Sequence, residues 1–348
     1  MQPTCRPAPA GKSHLKPDFN VMTRRTNYLS AIATVAASLM GMGTGLQAQS
    51  AAPPAASASA TDTAVPAPMV VPKVFKNELG FTADFMYGEG TITLPVGYSL
   101  AKALPGGNLP SQVITANRST VYYGGTVSYS YGRSWFLDLS YEDGTSTGSQ
   151  KFNFDNTLLD GLPGHQNAAF NYNDDWYQLY LRYNFQNWQW LTDKGFKSYL
   201  RGGVSLVDAT LTASIPSYYS QTDDTKDILG NIGFGLTYTV YARPRFKLGL
   251  QVEGEGSFGE RSQDSTEDLP QDANLSTSRA SINNTLYGGI GRGTLHADWR
   301  VGHSGRWKLT GDLGVQAKFT KINYPNAGSS PDEYLWGPYV KIGASYVF

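Results

Sequence analysis

Residues 307–319 read WKLTGDLGVQAKF, and every second residue from Trp307 to Phe319 is apolar or glycine. The positions between them hold Lys, Thr, Asp, Gly and Gln. Successive side chains of a β-strand point to opposite faces, so this pattern predicts a strand with one apolar and one polar face. A helix would instead repeat its apolar residues every three or four positions.

Similar alternation recurs along the chain from Leu79 to its last residue, and together these segments predict ten strands. The other apolar sets run from Leu79 to Tyr87, Val121 to Tyr131, Trp135 to Tyr141, Tyr177 to Phe185, Leu200 to Leu206, Ile228 to Val240, Phe246 to Val252, Leu295 to Val301, and Tyr334 to Phe348.

The composition excludes several classes of protein. Charged residues make up 16% of the chain, against about 25% in an ordinary soluble domain. The formal net charge is zero, which does not fit the basic surface of a nucleic-acid-binding protein. The only cysteine, Cys5, rules out a disulfide framework and a cysteine-based metal site. Abundant glycine and tyrosine suit β-structure.

The connections between the predicted strands alternate in length. Outer-membrane barrels have this rhythm, because their periplasmic turns are short and their extracellular loops are long. The short links are 132–134, 242–245 and 302–306, with a medium one at 186–195. The long connections, expected to be extracellular loops, are about 89–119, 142–174, 208–227, 259–283 and 320–333.

Aromatic residues gather at both ends of the predicted strands, as they do at the two water–lipid boundaries of a membrane barrel. Those next to the short links are Tyr131, Trp135, Phe185, Trp188, Trp190, Phe196, Phe246, Trp299, Trp307 and Phe348. Those next to the long links are Tyr87, Tyr141, Trp176, Tyr177, Tyr334 and Trp336. The sequence therefore predicts an all-β fold, a transmembrane antiparallel up-and-down barrel of about ten strands.

The chain divides into three parts. Residues 1–50 contain a leader: paired arginines at 24–25, an apolar run and small residues before a cleavage site near Ala48 are typical of a secretory signal peptide. Residues 51–76 are rich in Ala and Pro and predict a flexible periplasmic segment. Residues 77–348 form the barrel, and the expected location is the bacterial outer membrane.

The last segment, KIGASYVF, resembles the C-terminal assembly signal of Gram-negative outer-membrane β-barrel proteins, a porin-like superfamily of small and large barrels. The matching positions are Lys341, Gly343, Tyr346 and Phe348. The resemblance implies folding by the barrel-assembly machinery and identifies no particular subfamily. Outer-membrane lipid and lipopolysaccharide are the further expected partners.

An outward apolar face leaves the alternate residues in the lumen. Ten strands enclose little space, so balanced charges there are expected to pair across the barrel or to form an ion-selective constriction. The acids are Asp84, Asp138, Glu142, Glu253, Glu255, Asp298 and Asp312. The bases are Arg182, Arg201, Lys247, Arg292, Arg300, Lys308, Lys318 and Lys341, and His296 joins them, two residues from Asp298.

Three functions remain open from the sequence: a narrow barrel with a structural or surface-interaction role, a small-solute or ion pore, and a hydrolase at the rim. The strand count resembles the omptin proteases, for which Asp160, His165, Asp174 and Asp175 are the nearest rim residues. The leading expectation is a non-enzymatic barrel without cofactor or metal, whose loops meet an extracellular ligand.

Overall fold

A computed structural model describes residues 77–96, 112–132, 134–152, 166–185, 195–216, 219–268, 277–302, 306–323 and 332–348. The expected leader and Ala/Pro-rich segment, residues 1–76, lie outside these described residues. Within the described ranges, no helix is long and apolar enough to cross a membrane.

Ten strands close into a single barrel in which each strand pairs with its neighbours in the sequence and β1 pairs with β10. Every pairing is antiparallel, which confirms the predicted fold. The strands are β1 Glu78–Val96, β2 Gln112–Tyr131, β3 Trp135–Phe152, β4 Gln166–Asn184, β5 Phe196–Ile215, β6 Tyr219–Ala242, β7 Phe246–Asp268, β8 Thr277–Val301, β9 Trp307–Asn323 and β10 Asp332–Val347.

One end of the barrel, here called the turn end, carries the links β2–β3, β4–β5, β6–β7 and β8–β9. Gly132, Gly195 and Gly302 have φ values of 68°, 79° and 80° in three of these links. Glycine adopts this left-handed backbone without a steric penalty, which allows the chain to reverse over few residues. The opposite end, here called the far end, carries the other connections.

The barrel wall is apolar outside and polar inside. On β7, the outward Leu250 and Val252 are 53% and 64% exposed, whereas the inward Glu253 is buried. A water-soluble protein arranges its faces the other way. An exposed apolar exterior on a closed sheet suits lipid, because closure leaves no unpaired backbone edge in the hydrocarbon.

The expected long loops are too long at each far-end connection, because all ten strands extend into them, and the error is largest between β5 and β8. Residues 208–227 are almost entirely strand, since β5 extends to Ile215 and β6 starts at Tyr219. In the same way β7 continues to Asp268 and β8 begins at Thr277. The acidic residues of these stretches therefore lie on strands rather than in solvated loops. The far-end connections 97–111, 153–165, 269–276 and 324–331 lie outside the described residues.

The physical reason is that the apolar set changes face along each long strand. On β5 the outward residues up to Leu206 are apolar, but Val207, Leu211 and Ile215 beyond them are inward and buried. Outside the membrane the barrel exterior meets water, so apolar side chains are buried inside, as in a soluble protein. Apolar and polar residues still alternate beyond the membrane, but there the apolar residues face inward. A strand prediction that requires apolar residues on the same face throughout therefore ends too early.

Candidate functional site

The lumen holds the charged residues that the sequence places there. A cavity of about 1210 Å³ fills its turn-end half and reaches the links, because Gly132, Pro244 and Arg306 line it. The predicted lumen residues that line it are Asp84, Asp138, Glu142, Arg182, Arg201, Lys247, Glu253, Arg292, His296, Asp298, Arg300, Lys308, Asp312 and Lys341. Glu255 and Lys318 are buried but do not line this cavity.

A group of ion pairs, here called the ion-pair layer, crosses the lumen at the inner end of the cavity. It consists of Arg201, Arg292, Lys318, Glu142, Glu253 and Glu255.

Arg201 lies at one side of the ion-pair layer. Its guanidinium lies 2.5 Å from a Glu253 oxygen and 2.6 Å from a Glu255 oxygen. The Tyr180 hydroxyl donates to Glu255 at 2.9 Å, and the guanidinium sits 4.8 Å from the centre of the Tyr180 ring. One cation therefore neutralises two carboxylates that lie two positions apart on β7.

Arg292 and Lys318 complete the ion-pair layer from β8 and β9. Arg292 contacts Glu253 at 2.9 Å and also donates to Gln316. Lys318 donates to Glu142 at 2.9 Å, and its ammonium lies 3.9 Å from the centre of the Tyr122 ring. These contacts join strands from opposite sides of the barrel, so the layer connects the wall across the lumen.

Above the ion-pair layer, towards the far end, two clusters of buried apolar side chains lie in the lumen. We call this the apolar layer. Trp176 packs against both of its clusters and donates its indole N–H to Asp174 at 2.5 Å. The expectation that Trp176 lies at the water–lipid boundary is therefore wrong. One cluster is Val207, Leu229, Leu286 and Ile322, and the other is Met86, Tyr122, Leu335 and Tyr339.

The apolar layer was not predicted from the sequence, because only polar residues were expected in the lumen. A signal was present, since Leu229 and Leu286 alternate with the outward Ile228 and Tyr287 and so belong to the inward set.

The cavity wall also holds a histidine between two carboxylates. His296 Nδ1 lies 2.6 Å from Asp312 Oδ1, and Nε2 lies 3.2 Å from Asp298 Oδ1. The sequence predicted Asp298 as the partner of His296. Asp312 also contacts His296, because the β8–β9 register places the two residues opposite each other. The described part of the chain contains no group of His, Cys, Asp and Glu suited to hold a metal ion.

Of the four rim residues, the structure describes Asp174 and Asp175, which face opposite sides of β4. Asp174 points into the lumen and accepts a hydrogen bond from the Tyr122 hydroxyl at 2.7 Å. Its neighbour Asp175 faces the other way and accepts a hydrogen bond from Tyr141. Asp160 and His165 lie outside the described residues.

Three assembly-signal positions lie on β10, which pairs with β1, and the fourth, Phe348, directly follows this strand. A Cβ at Gly343 would stand 2.8 Å from the Phe81 carbonyl oxygen, so the close approach of the strands requires glycine there. The Tyr346 ring packs 5.1 Å from Trp307. The Phe348 N–H donates to the Asn77 carbonyl at 3.0 Å, and the Lys341 side chain lines the cavity.

A closed antiparallel barrel with an apolar exterior and aromatic residues at both ends of that exterior spans a membrane. The chain is a closed ten-stranded antiparallel β-barrel with the exterior of a membrane-spanning protein. No protein-family model matches it, and no curated protein does.

Solved structures resemble the barrel in general architecture. The outer membrane protease OmpT from Escherichia coli is 10% identical, with a TM-score of 0.44 over 78% of this chain and 97% of that chain. OprG from Pseudomonas aeruginosa is 12% identical, with a TM-score of 0.33 over 77% and 95%. The translocator domain of NalP from Neisseria meningitidis is 9% identical, with a TM-score of 0.35 over 93% and 98%.

Beyond the membrane, the far-end interior contains a buried carboxyl, Asp223. Gln221 donates to it at 2.7 Å, and Glu267 lies close enough to repel it. Burial, followed by this repulsion, raises the pKa of Asp223 from 3.8 to about 7, although the hydrogen bond from Gln221 opposes the shift. The folded protein therefore retains this proton at pH values where the unfolded chain has released it.

The Asp223→Asn variant should unfold at a higher urea concentration than the wild type at pH 8. The folded-state pKa is raised, so this group makes the free energy of unfolding fall as pH rises from about 4 to about 7. The difference between the proteins should disappear near pH 4. Asp224→Asn, on the exposed face of the same strand, is the matched control and should show no such difference. An equal response of both variants would contradict the assignment.

Proposed function

We propose that the protein is a closed outer-membrane barrel with a structural or surface-interaction role. The observation that carries the proposal is the position of Trp176, which packs against both clusters of the apolar layer and so completes a filled cross-section. The ion-pair layer lies directly beneath it. An ion crossing the lumen would have to break buried ion pairs and then enter an apolar region, and both steps are costly.

The part of the barrel beyond the membrane supports a role at the surface. Its exterior is polar, with exposed residues such as Thr222, Lys226 and Asp264, while its interior is packed. Strands hold these side chains in fixed positions, which suits contact with lipopolysaccharide or an extracellular ligand. Assembly by the barrel-assembly machinery, for which the β10 seam is the recognition element, belongs to the same proposal.

A small-solute pore is the second candidate, and the turn-end cavity favours it. That cavity already gives water access to half of the lumen. A pathway would then require the ion-pair and apolar layers to move aside.

Conductance in a planar bilayer distinguishes the closed barrel from the small-solute pore. The refolded wild-type protein should give no steady steps, because both layers are closed. The Arg292→Ala/Trp176→Ala variant, which thins both layers, should give steps, whereas Trp135→Ala on the outer surface should not. Folding of each protein is checked by its heat-dependent gel mobility. Steady steps from the wild type, with an ion selectivity that Arg292→Gln alters, would establish the pore instead.

A further inference from the structure

The charges of the turn-end cavity are not balanced along its depth. Basic side chains outnumber acidic ones ten to seven in its lining. Three deeper bases form ion pairs: Arg182 with Asp138, Arg201 with Glu253, and Arg292 with Glu253 and Glu142. The fourth, Lys341, lies opposite Asp84 and Asp312 in the strand register. The excess therefore lies towards the opening.

Five cations surround that opening, and we call them the cationic mouth. None of the five forms an ion pair with a described residue. They come from β5, β7, β8 and two links, so they converge from separate parts of the sequence. The members are Lys197, Arg245, Lys247, Arg300 and Arg306.

Like charges lie close together in the cationic mouth. The β8–β9 register places Arg300 directly opposite Lys308, an arrangement that disfavours pairing of the two strands. Lys197 in turn lies near enough to Lys247, Lys308 and Arg300 to be repelled by all three, and near enough to Asp298 to be attracted by it. Asp298, which the β7–β8 register places opposite Lys247, is one carboxylate among several cations, so positive charge remains in excess. The carboxylate of Glu78 neutralises only Lys308, at 3.0 Å. An anion in the opening would relieve this repulsion.

A second observation inside the cavity also points to a ligand. The Thr294 side chain is only 7% exposed and lies on the inward face of β8. Thr294 is among the residues that line the cavity, and its hydroxyl makes no hydrogen bond with any described residue. A buried hydroxyl normally has a partner, and a phosphate oxygen that reached it would supply one.

We infer that the turn-end cavity binds a polyanion that carries phosphate groups and enters from the periplasmic side. Several cations within a Debye length of one another attract a multivalent anion far more strongly than a monovalent one. Phosphate oxygens accept hydrogen bonds from arginine, lysine and hydroxyl groups alike. The volume of about 1210 Å³ is sufficient for a molecule with several such groups. The inference does not depend on whether the lumen is closed at the far end.

Calorimetric titration of sodium tripolyphosphate into the refolded protein, held in discs of zwitterionic lipid, tests the inference. We expect saturable binding that weakens about tenfold or more in Lys247→Gln/Arg300→Gln, and that weakens as salt rises from about 0.05 to about 0.5 M. Lys226→Gln/Arg279→Gln removes the same charge from the far-end exterior and should bind like the wild type. Heat-dependent gel mobility confirms that each variant is folded.

Other results decide the source and the class of the ligand. If anionic phosphatidylglycerol in the disc competes with tripolyphosphate in the wild type, but not in Lys247→Gln/Arg300→Gln, lipid headgroups supply the phosphates and the site is supported. Without that competition, saturable binding assigns the site to a soluble polyanion. Equal binding by all three proteins, or no binding by the wild type, would overturn the inference. So would binding of a pentaglutamate peptide in place of tripolyphosphate.

Discussion

Replacing Arg201 by Met should lower the free energy of unfolding by about 3–5 kcal/mol, the typical cost of leaving a buried charge without its partner. The side chains of Arg201, Glu253 and Glu255 are 15%, 8% and 3% exposed, and Glu255 does not line the turn-end cavity, so little water can replace its lost contact. Arg292 still neutralises Glu253 at 2.9 Å in the variant, but Glu255 loses its cation. Urea unfolding in micelles, followed by tryptophan fluorescence, measures the change.

The double variant Arg201→Met/Glu255→Gln is the matched control. It removes the cation together with the carboxylate that depends on it, and the Tyr180 hydroxyl can still donate to the amide oxygen that replaces this carboxylate. We expect it to recover most of the lost stability, because a neutral buried pair has no charge to compensate. If the single variant is as stable as the wild type, the ion-pair layer does not stabilise the barrel.

The strand count and the order of the strands could be predicted from the sequence, because period two extends over nearly every strand that crosses the membrane. The lumen set followed from the same pattern, since a residue such as Arg292 must lie opposite the apolar face. Pairing across the lumen could not be predicted. Arg201 meets Glu253 and Glu255 because of the tilt and register of β5 to β7, which no local pattern encodes.

The far-end parts of the strands were predicted less well, because their sequence resembles that of a loop. The stretch 208–227 has polar residues where the membrane part of β5 has apolar ones, and this resembles a solvated loop. The same composition suits a strand whose exterior faces water and whose interior holds Leu211, Ala213 and Ile215. A strand can be told from a loop here only if the apolar residues are expected to change from the outer to the inner face where the lipid ends.

The second large effect on stability is expected from a charge placed on the lipid-facing exterior. Val252 is 64% exposed on the outer face of β7 and lies midway between the outward Phe246 and Phe258. These two aromatic rings mark the lipid interfaces on that strand, so Val252 faces the bilayer centre. Val252→Arg should reduce the free energy of unfolding in liposomes by about 2–4 kcal/mol.

Ser262→Arg tests where the lipid ends. Ser262 is exposed on the same face of β7 but beyond Phe258, where the exterior is polar. An arginine there remains hydrated, so its effect on unfolding should stay within about 0.5 kcal/mol. Similar losses in both variants would mean that the change of apolar face does not coincide with the edge of the bilayer. A loss confined to Val252→Arg means that one strand satisfies opposite burial rules on the two sides of Phe258, because its solvent changes there from lipid to water.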